Sequence, residues 1–272
     1  MTSHDVVAQV RRLFRTRAVG HTGTLDPFAT GVLVLVLGNA TRLARFVEAG
    51  AKTYVAEARL GLETTTDDAT GDPVGAEWDG PWPEPQQVRA ALRRVGEAGW
   101  QLPPVFSAKR VGGRRSHDLA RRGEEVVLTP AAVRIDRLEL LAYAPPMVGF
   151  EADVGPGTYI RAVARDLGRA LGTGAHLVAL RRVRVGPFRA ADAHPLDRLT
   201  GAEPLLAPSR LVEGMRQVGL DAARVEDVRH GRPVAADADA EGLAALLAGD
   251  RLVAVAEGRN GRWYPNVVLA TP

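Results

Sequence analysis

Cysteine is absent from the 272-residue sequence. Structural disulfides, thiolate nucleophiles, Cys-ligated zinc and iron–sulfur clusters are therefore excluded. Lysine is nearly absent, with Lys52 and Lys109 standing against 33 arginines. The longest unbroken aliphatic run, Val32 to Leu37, is far below the about 20 residues needed to cross a bilayer. Met1 is followed by polar residues rather than a basic and then apolar leader, and a soluble, cytoplasmic protein with no membrane association is expected. There is no G-x-x-x-x-G-K-[ST], no G-x-G-x-x-G after a strand, no H-E-x-x-H and no G-x-S-x-G. The six histidines (His4, His21, His117, His176, His194 and His230) are scattered, so no metal site is expected. The chemistry is left to Asp, Arg, Tyr or Ser, without a cofactor.

What is present is ordinary in bulk: 46% apolar and 25% charged residues, as in a globular protein. The length allows one large domain, or one with a small companion. Net charge is only +3, but it is unevenly placed. Residues 103–122 carry a local +5, residues 51–100 a net −4, and residues 201–272 a net −2. A concentrated basic stretch on a nearly neutral chain suits a polyanion; a solvated arginine-rich loop accounts for it equally well.

Periodicity predicts an amphipathic helix over 3–17 with Ser3 as N-cap, a breaker-rich loop from Gly20 to Gly31, a buried strand over 32–37, and a helix capped by Asn39. Lys52–Gly61 alternates, placing Tyr54, Ala56, Ala58 and Leu60 on one face of a half-buried strand. A polar connection leads to a helix over 86–97. The basic segment follows, with a Gly112–Gly113 turn and a short helix capped by Ser116. Then come strands over 132–142 and 147–154, a helix over 158–171 and a strand over 177–185. The irregular mixture favours α+β over a doubly wound sheet. Beyond Pro204 the chain reads as a small β-rich domain, with strands expected at Val225–Val228, Leu252–Glu257 and Trp263–Leu269.

The densest special stretch is Gly20-His21-Thr22-Gly23-Thr24-Leu25-Asp26-Pro27-Phe28-Ala29-Thr30-Gly31. On spacing alone, Asp26 is most simply an Asp-Pro turn residue; the functional reading is a backbone fixed to present one carboxylate. Gly157-Thr158-Tyr159-Ile160-Arg161 opens a helix whose first turn favours anions. Arg161 is there either an ordinary surface arginine or the partner of a carboxylate. Tyr54 is either a core tyrosine with its hydroxyl at the edge or a ring presented to a ligand.

Taken together, these segments resemble the bacterial tRNA pseudouridine-55 synthases, the TruB family. The resemblance rests on four blocks in order: residues 20–33; Lys52-Thr53-Tyr54 with Leu60-Gly61 and Thr64-Thr65-Thr66-Asp67; Pro103-Pro104-Val105-Phe106-Ser107-Ala108; and Gly157–Arg161 through Asp166-Leu167-Gly168 and Gly174-Ala175-His176 to Leu180-Arg181-Arg182. It covers about residues 2–200. It implies an α+β, pseudouridine-synthase-like mixed and largely antiparallel central sheet flanked by helices. The catalytic domain would be residues 1–206 with an RNA-clamping insertion at about 103–130, and residues 207–272 a small PUA-like RNA-binding domain.

The resemblance further implies cofactor-free isomerisation of one uridine in the T arm of tRNA. Asp26 would be the catalytic carboxylate, adding to the uracil ring or acting at the sugar, and Arg161 its charge partner. Tyr54 would stack on uracil, Leu180 would wall the pocket, and His21 would insert into the RNA and support the extruded base. Tyr159, Lys52, Lys109, Arg114 and Arg115 are the remaining expected substrate contacts. The partner would be the T stem-loop, with no obligatory protein partner and a monomeric chain.

The sequence departs from the family pattern twice. The family begins with a strand ending in Lys-Pro and Gly-x-Thr-Ser, whereas here Met1-Thr2-Ser3 opens directly on a helix; a truncated start, or another segment covering the sheet edge, is the expectation. His117 stands where the family pattern has tyrosine in the clamp. Two rival readings are a catalytically impaired RNA-binding or RNA-chaperone protein of the same fold, and an N-glycosidase acting on a flipped base.

Overall fold

A computed structural model describes residues 1–107, 109–120, 122–124, 126–236 and 240–269, the side chains of Arg110, Val111, Arg115 and His117 excepted. Arg121 and these side chains, all part of the expected clamp, lie outside the described residues. The chain forms two compact units. One comprises Phe28–Val32 and Gly50–Ala191; the other comprises Met1–Pro27, Leu33–Ala49 and Asp192–Pro272.

The first unit is built on six strands: β1 (Thr30–Gly31), β2 (Lys52–Leu60), β3 (Ile135–Ala144), β4 (Met147–Val154), β5 (Ala175–Val185) and β6 (Phe188–Arg189). Their order is β3-β4-β2-β5-β6, with β1 pairing parallel to β5 and every other pair antiparallel. This is the mixed, largely antiparallel sheet that the α+β reading requires. Alternation puts Tyr54, Ala56, Ala58 and Leu60 of β2 and Val148, Phe150, Ala152 and Val154 of β4 into one core. Helices α1 (Pro85–Glu97) and α2 (Ile160–Leu171) close that core, contributing Val88, Ala91 and Leu92, and Ile160, Val163, Ala164 and Leu167. Each buried valine, leucine, isoleucine or phenylalanine side chain contributes about 1.5–3 kcal/mol.

Two glycines set close approaches. Gly31 has φ +104°, and a Cβ there would overlap the Arg182 carbonyl; without it Val32 N–H reaches Arg182 O at 2.9 Å and Arg182 Nε reaches Val32 O at 2.9 Å. Gly168 of α2 faces the start of β5, where a Cβ would overlap Gly174 and Ala175.

On the opposite face of the sheet, Asp153 ties a row of strands together. It accepts from Thr53 Oγ1 of β2, from Arg137 Nε of β3 at 2.9 Å and from Arg184 Nη2 of β5 at 3.2 Å. Burial pushes its carboxyl up, but the bonds from Thr53 and Arg137 more than offset this and leave it below the ordinary carboxylate value. A group depressed in the folded state stabilises above its unfolded pKa, and that stability is lost as pH falls through the folded value. Asp153→Asn is therefore expected to lower the melting midpoint at pH 7, with the gap to the parent narrowing below about pH 4. A gap unchanged between pH 7 and pH 3 would contradict the linkage.

The second unit opens with the helix Ser3–Leu13, shorter than expected because Arg15 turns left-handed at φ +49°. Its N-cap is Thr2, which forms a capping box with Asp5, and not Ser3. The stretch from Gly20 is less irregular than its breakers suggested: Val19–His21 pairs antiparallel with Leu35–Leu37, Val19 opposite Leu37. In place of the helix expected from Asn39, a 3₁₀ turn Gly38–Leu43 leads into a short helix, Ala44–Glu48.

A five-stranded sheet follows, from β7 (Arg216–Gly219), β8 (Val234–Ala235), β9 (Gly242–Ala248), β10 (Arg251–Arg259) and β11 (Arg262–Val268), in the order β7-β9-β10-β11-β8. Trp263, Leu246, Val253 and Ala254 anchor one cluster of its core. Val225–Val228, expected as a strand, belongs instead to a helix, Ala222–Arg229. Asp221 caps it by accepting from Arg224 N–H at 2.9 Å. Among the described residues no helix is long and apolar enough to cross a membrane.

Candidate active site

Asp26 follows a stretch held from within its own unit. Ser3, 5% exposed, is freed from capping and instead accepts the Leu25 N–H at 2.9 Å. This fixes the residue before Asp26 to the first turn of the opening helix. His21 Nδ1 accepts the Gly23 N–H at 3.2 Å, and its ring meets that of His4 edge-on at 5.6 Å between centroids. Asp26 is half-buried. Two residues further on the chain enters the other unit, where Phe28 and Ala29 pack on the main core and Gly31 docks on β5. The motif thus has its first part held by Ser3 within one unit and its last part held by β5 within the other.

Arg161 is the second residue of α2 and 5% exposed. The helix entry is set by Gln101, which accepts from Tyr159 N–H at 2.9 Å and donates to Tyr159 O at 3.1 Å. The Arg161 guanidinium donates to Thr66 O and to Phe106 O, both at 2.9 Å, and lies 3.6 Å from Asp68 Oδ2. Asp68 in turn accepts from Thr66 Oγ1 at 2.8 Å and Thr70 N–H at 2.9 Å. One turn further along α2, Arg165 is 4% exposed. It donates to Asp67 Oδ2 at 2.8 Å, Leu102 O at 2.7 Å and Asp166 Oδ1 at 2.9 Å. Burial pushes the Asp67 carboxyl above the ordinary value, opposed by Arg165 and Arg161. Charges so buried persist only when paired and hydrogen-bonded, and both guanidinium groups are.

Tyr54 and Leu180 lie diagonally across the β2–β5 pair, in the same core cluster as Ile160. The structure therefore brings the expected ring, the apolar wall and the helix start bearing Arg161 into one unit. Tyr159 is half-buried at the mouth of that helix. Lys52 is 9% exposed, its ammonium donating to Gly50 O at 3.0 Å. Lys109 donates to Thr129 O at 3.3 Å. Arg114 is clasped by Glu124 through two bonds of 2.9 and 2.8 Å, so a carboxylate just past the basic window neutralises one of its cations. The Arg115 side chain lies outside the described residues. Asp26 and His21 belong to the other unit.

Three residues now prominent had no assigned role in the sequence: Arg165, Asp68 and Gln101. Asp67 was part of a motif only. The signal was available for the arginines, since 161 and 165 are four apart and share one helix face. Among the described residues no three His, Asp or Glu side chains come together as a metal site would require. A cleft of about 650 Å³ lined by Trp78, Trp82, Arg93 and Arg94 takes in none of the expected site residues.

The first unit's sheet and helices define the fold class of the pseudouridine synthases. The chain superposes over 98% of its length on 82% of a chain from an archaeal box H/ACA sRNP Nop10–Cbf5 complex (TM-score 0.68, 24% identity). It superposes over its full length on 82% of a chain from an H/ACA RNP bound to a substrate RNA containing 2′-deoxyuridine (TM-score 0.69, 23% identity). Residues 11–160 match the N-terminal domain of TruB family pseudouridylate synthases, and residues 161–210 match the tRNA pseudouridylate synthase B C-terminal domain. The tRNA pseudouridine synthase B of Mycolicibacterium paratuberculosis is 44% identical, the match covering 99% of this chain and 94% of that protein. The protein of the same name from Arthrobacter sp. is 41% identical over 99% and 93%. The chain belongs to the TruB family.

Proposed function

We propose that the chain isomerises uridine 55 in the T loop of tRNA to pseudouridine. The observation that carries this is the 44% identity, over 99% of the chain, to a relative named tRNA pseudouridine synthase B. In the reaction the N1–C1′ bond breaks, uracil turns in place, C5 bonds to C1′, and the C5 proton is lost while N1 gains one. Nothing is oxidised or reduced and the base stays bound, so the reading needs no external cofactor.

In this reading Asp26 supplies the carboxylate, whether at the ring or at the sugar, and either route needs it ionised. Arg161 supplies the compensating charge, its fork already fixed by Thr66 O, Phe106 O and Asp68. Tyr54 offers its ring face to uracil and Leu180 closes the apolar side. Reaching the base means extruding it, at a cost of a few kcal/mol, and His21 stands in the motif to support the opened RNA. The T stem-loop is recognised mainly by shape. Residues 207–272 act as a PUA-like RNA-binding domain, residues 1–206 carry catalysis, and the chain works alone, as a monomer, in the cytoplasm.

Incubating a T-arm RNA with the chain and assaying nucleosides tests this directly. Pseudouridine is the expected product; binding without conversion would favour an RNA chaperone, and free uracil an N-glycosidase. For the clamp at about 103–130, exposed Arg122 is the informative cation. Arg122→Ala is expected to reduce the slope of log Kd against log salt by about 0.7–0.9, one phosphate contact. Arg114→Ala is expected to change it less, because Glu124 already holds that guanidinium. An equal loss from both would show that Glu124 yields its partner to phosphate.

A further inference from the structure

Two connecting segments meet the first turns of α2: the turn at 65–70 and the stretch 102–106 at the start of the basic insertion. Arg161 touches one carbonyl from each, Thr66 O and Phe106 O. A carbonyl is placed by its backbone, so the orientation of the Arg161 fork depends on what holds these two segments. Arg165, one turn along the same helix face, grips both again: Asp67 at 2.8 Å in the first and Leu102 O at 2.7 Å in the second. Its third nitrogen is held at Asp166, 2.9 Å away. All three guanidinium nitrogens are therefore used, in a plane that lysine cannot reproduce.

The turn carries a second mark of being held in place. Asp67 is left-handed at φ +60°, a conformation uncommon for a residue with a Cβ and sustained only where the surroundings over-determine it. That conformation aims the Asp67 carboxylate at Arg165, while Asp67 O accepts from Leu177 N–H of β5 at 3.0 Å and the preceding Thr66 carbonyl meets Arg161. Buried ion pairs are weak stabilisers compared with apolar packing of equal volume, and their gain here is fixed direction.

We propose that Arg165, by holding Asp67 and Leu102 together, is a positioning residue that fixes the Arg161 guanidinium for the reaction. The inference rests on the reading of Arg161 as a participant in uridine isomerisation.

The test is single-turnover conversion of a T-arm RNA by excess full-length protein, well below the melting midpoint of every variant, with RNA Kd measured alongside. Arg165→Lys keeps the charge and loses the fork, and its rate constant is expected to fall about 5-fold. Arg165→Met and Asp67→Asn are expected to fall further, to about 30-fold, inside the ~10²-fold that a misplacement of about 1 Å costs. Kd should stay within about threefold, because the RNA contacts are not touched and the loss is in the chemical step. The Arg165→Met, Asp67→Asn double variant should lose no more than the worse single one.

Rates of the folded lysine and asparagine variants equal to that of the parent, with only the melting midpoint lowered, would reduce Arg165 to fold support and overturn the proposal. Those two variants decide the matter even where Arg165→Met does not fold. A parent chain that makes no pseudouridine would instead overturn the reading of the site itself.

Discussion

Asp26→Asn exchanges one carboxylate oxygen for an amide nitrogen and removes the negative charge on which both routes to pseudouridine depend. Turnover of T-arm RNA is expected to fall by at least ~10³-fold, about 4 kcal/mol of transition-state stabilisation. The RNA Kd should stay within about threefold, since one neutralised acid adds no repulsion towards phosphate. The substitution leaves the neighbouring backbone anchors in place: Leu25 N–H on Ser3 Oγ, and Val32 N–H on Arg182 O beside Gly31. The melting midpoint is thus expected to move little, and loss of activity would not reflect loss of fold. Retained turnover in the asparagine variant would remove Asp26 from the chemistry, whatever the standing of the family resemblance.

The sheet was legible where one physical rule dominated. Period-two alternation over Lys52–Leu60 fixed both the strand and the face it turns to the core, and the apolar stripe of α2 fixed the side it packs on the sheet. Val225–Val228 failed for a related reason. Two valines three apart read as a strand when β-branching is weighed alone, yet the Asp221 cap and the alanines beside it start a helix. Ser3 was assigned to capping because its residue type caps well, but Thr2 with Asp5 completed a capping box and released Ser3 to hold Leu25.

The candidate site was legible only in its motif residues. Asp26, Tyr54 and Arg161 stand in motifs dense enough to notice. The anions around Arg161 come from a turn whose position depends on β5 and α2 together, and no local pattern reports such a meeting. The basic window misled by its boundary: ended at residue 122 it counted +5, while Glu124 folds back to neutralise Arg114.

Arg161→Lys is expected to lower the single-turnover rate by about 10²-fold, the scale seen when one preorganised electrostatic partner is lost from a reaction centre. Lysine retains the charge, so Asp68 is not left as an unpaired buried carboxylate, and the melting midpoint should fall by only a few degrees. Alanine is the poorer probe. Arg161 is 5% exposed and holds Thr66 O, Phe106 O and Asp68 at once, so truncation is expected to cost roughly 3–5 kcal/mol of stability through the stranded acid alone. Against a total of order 5–15 kcal/mol, an inactive alanine variant would report unfolding as readily as lost chemistry. The lysine variant separates the two because one ammonium cannot serve two carbonyls and a carboxylate in the geometry of the fork. A rate equal to that of the parent in a folded lysine variant would show that only the charge matters. A slow variant with parent-like RNA binding would show that direction matters as well.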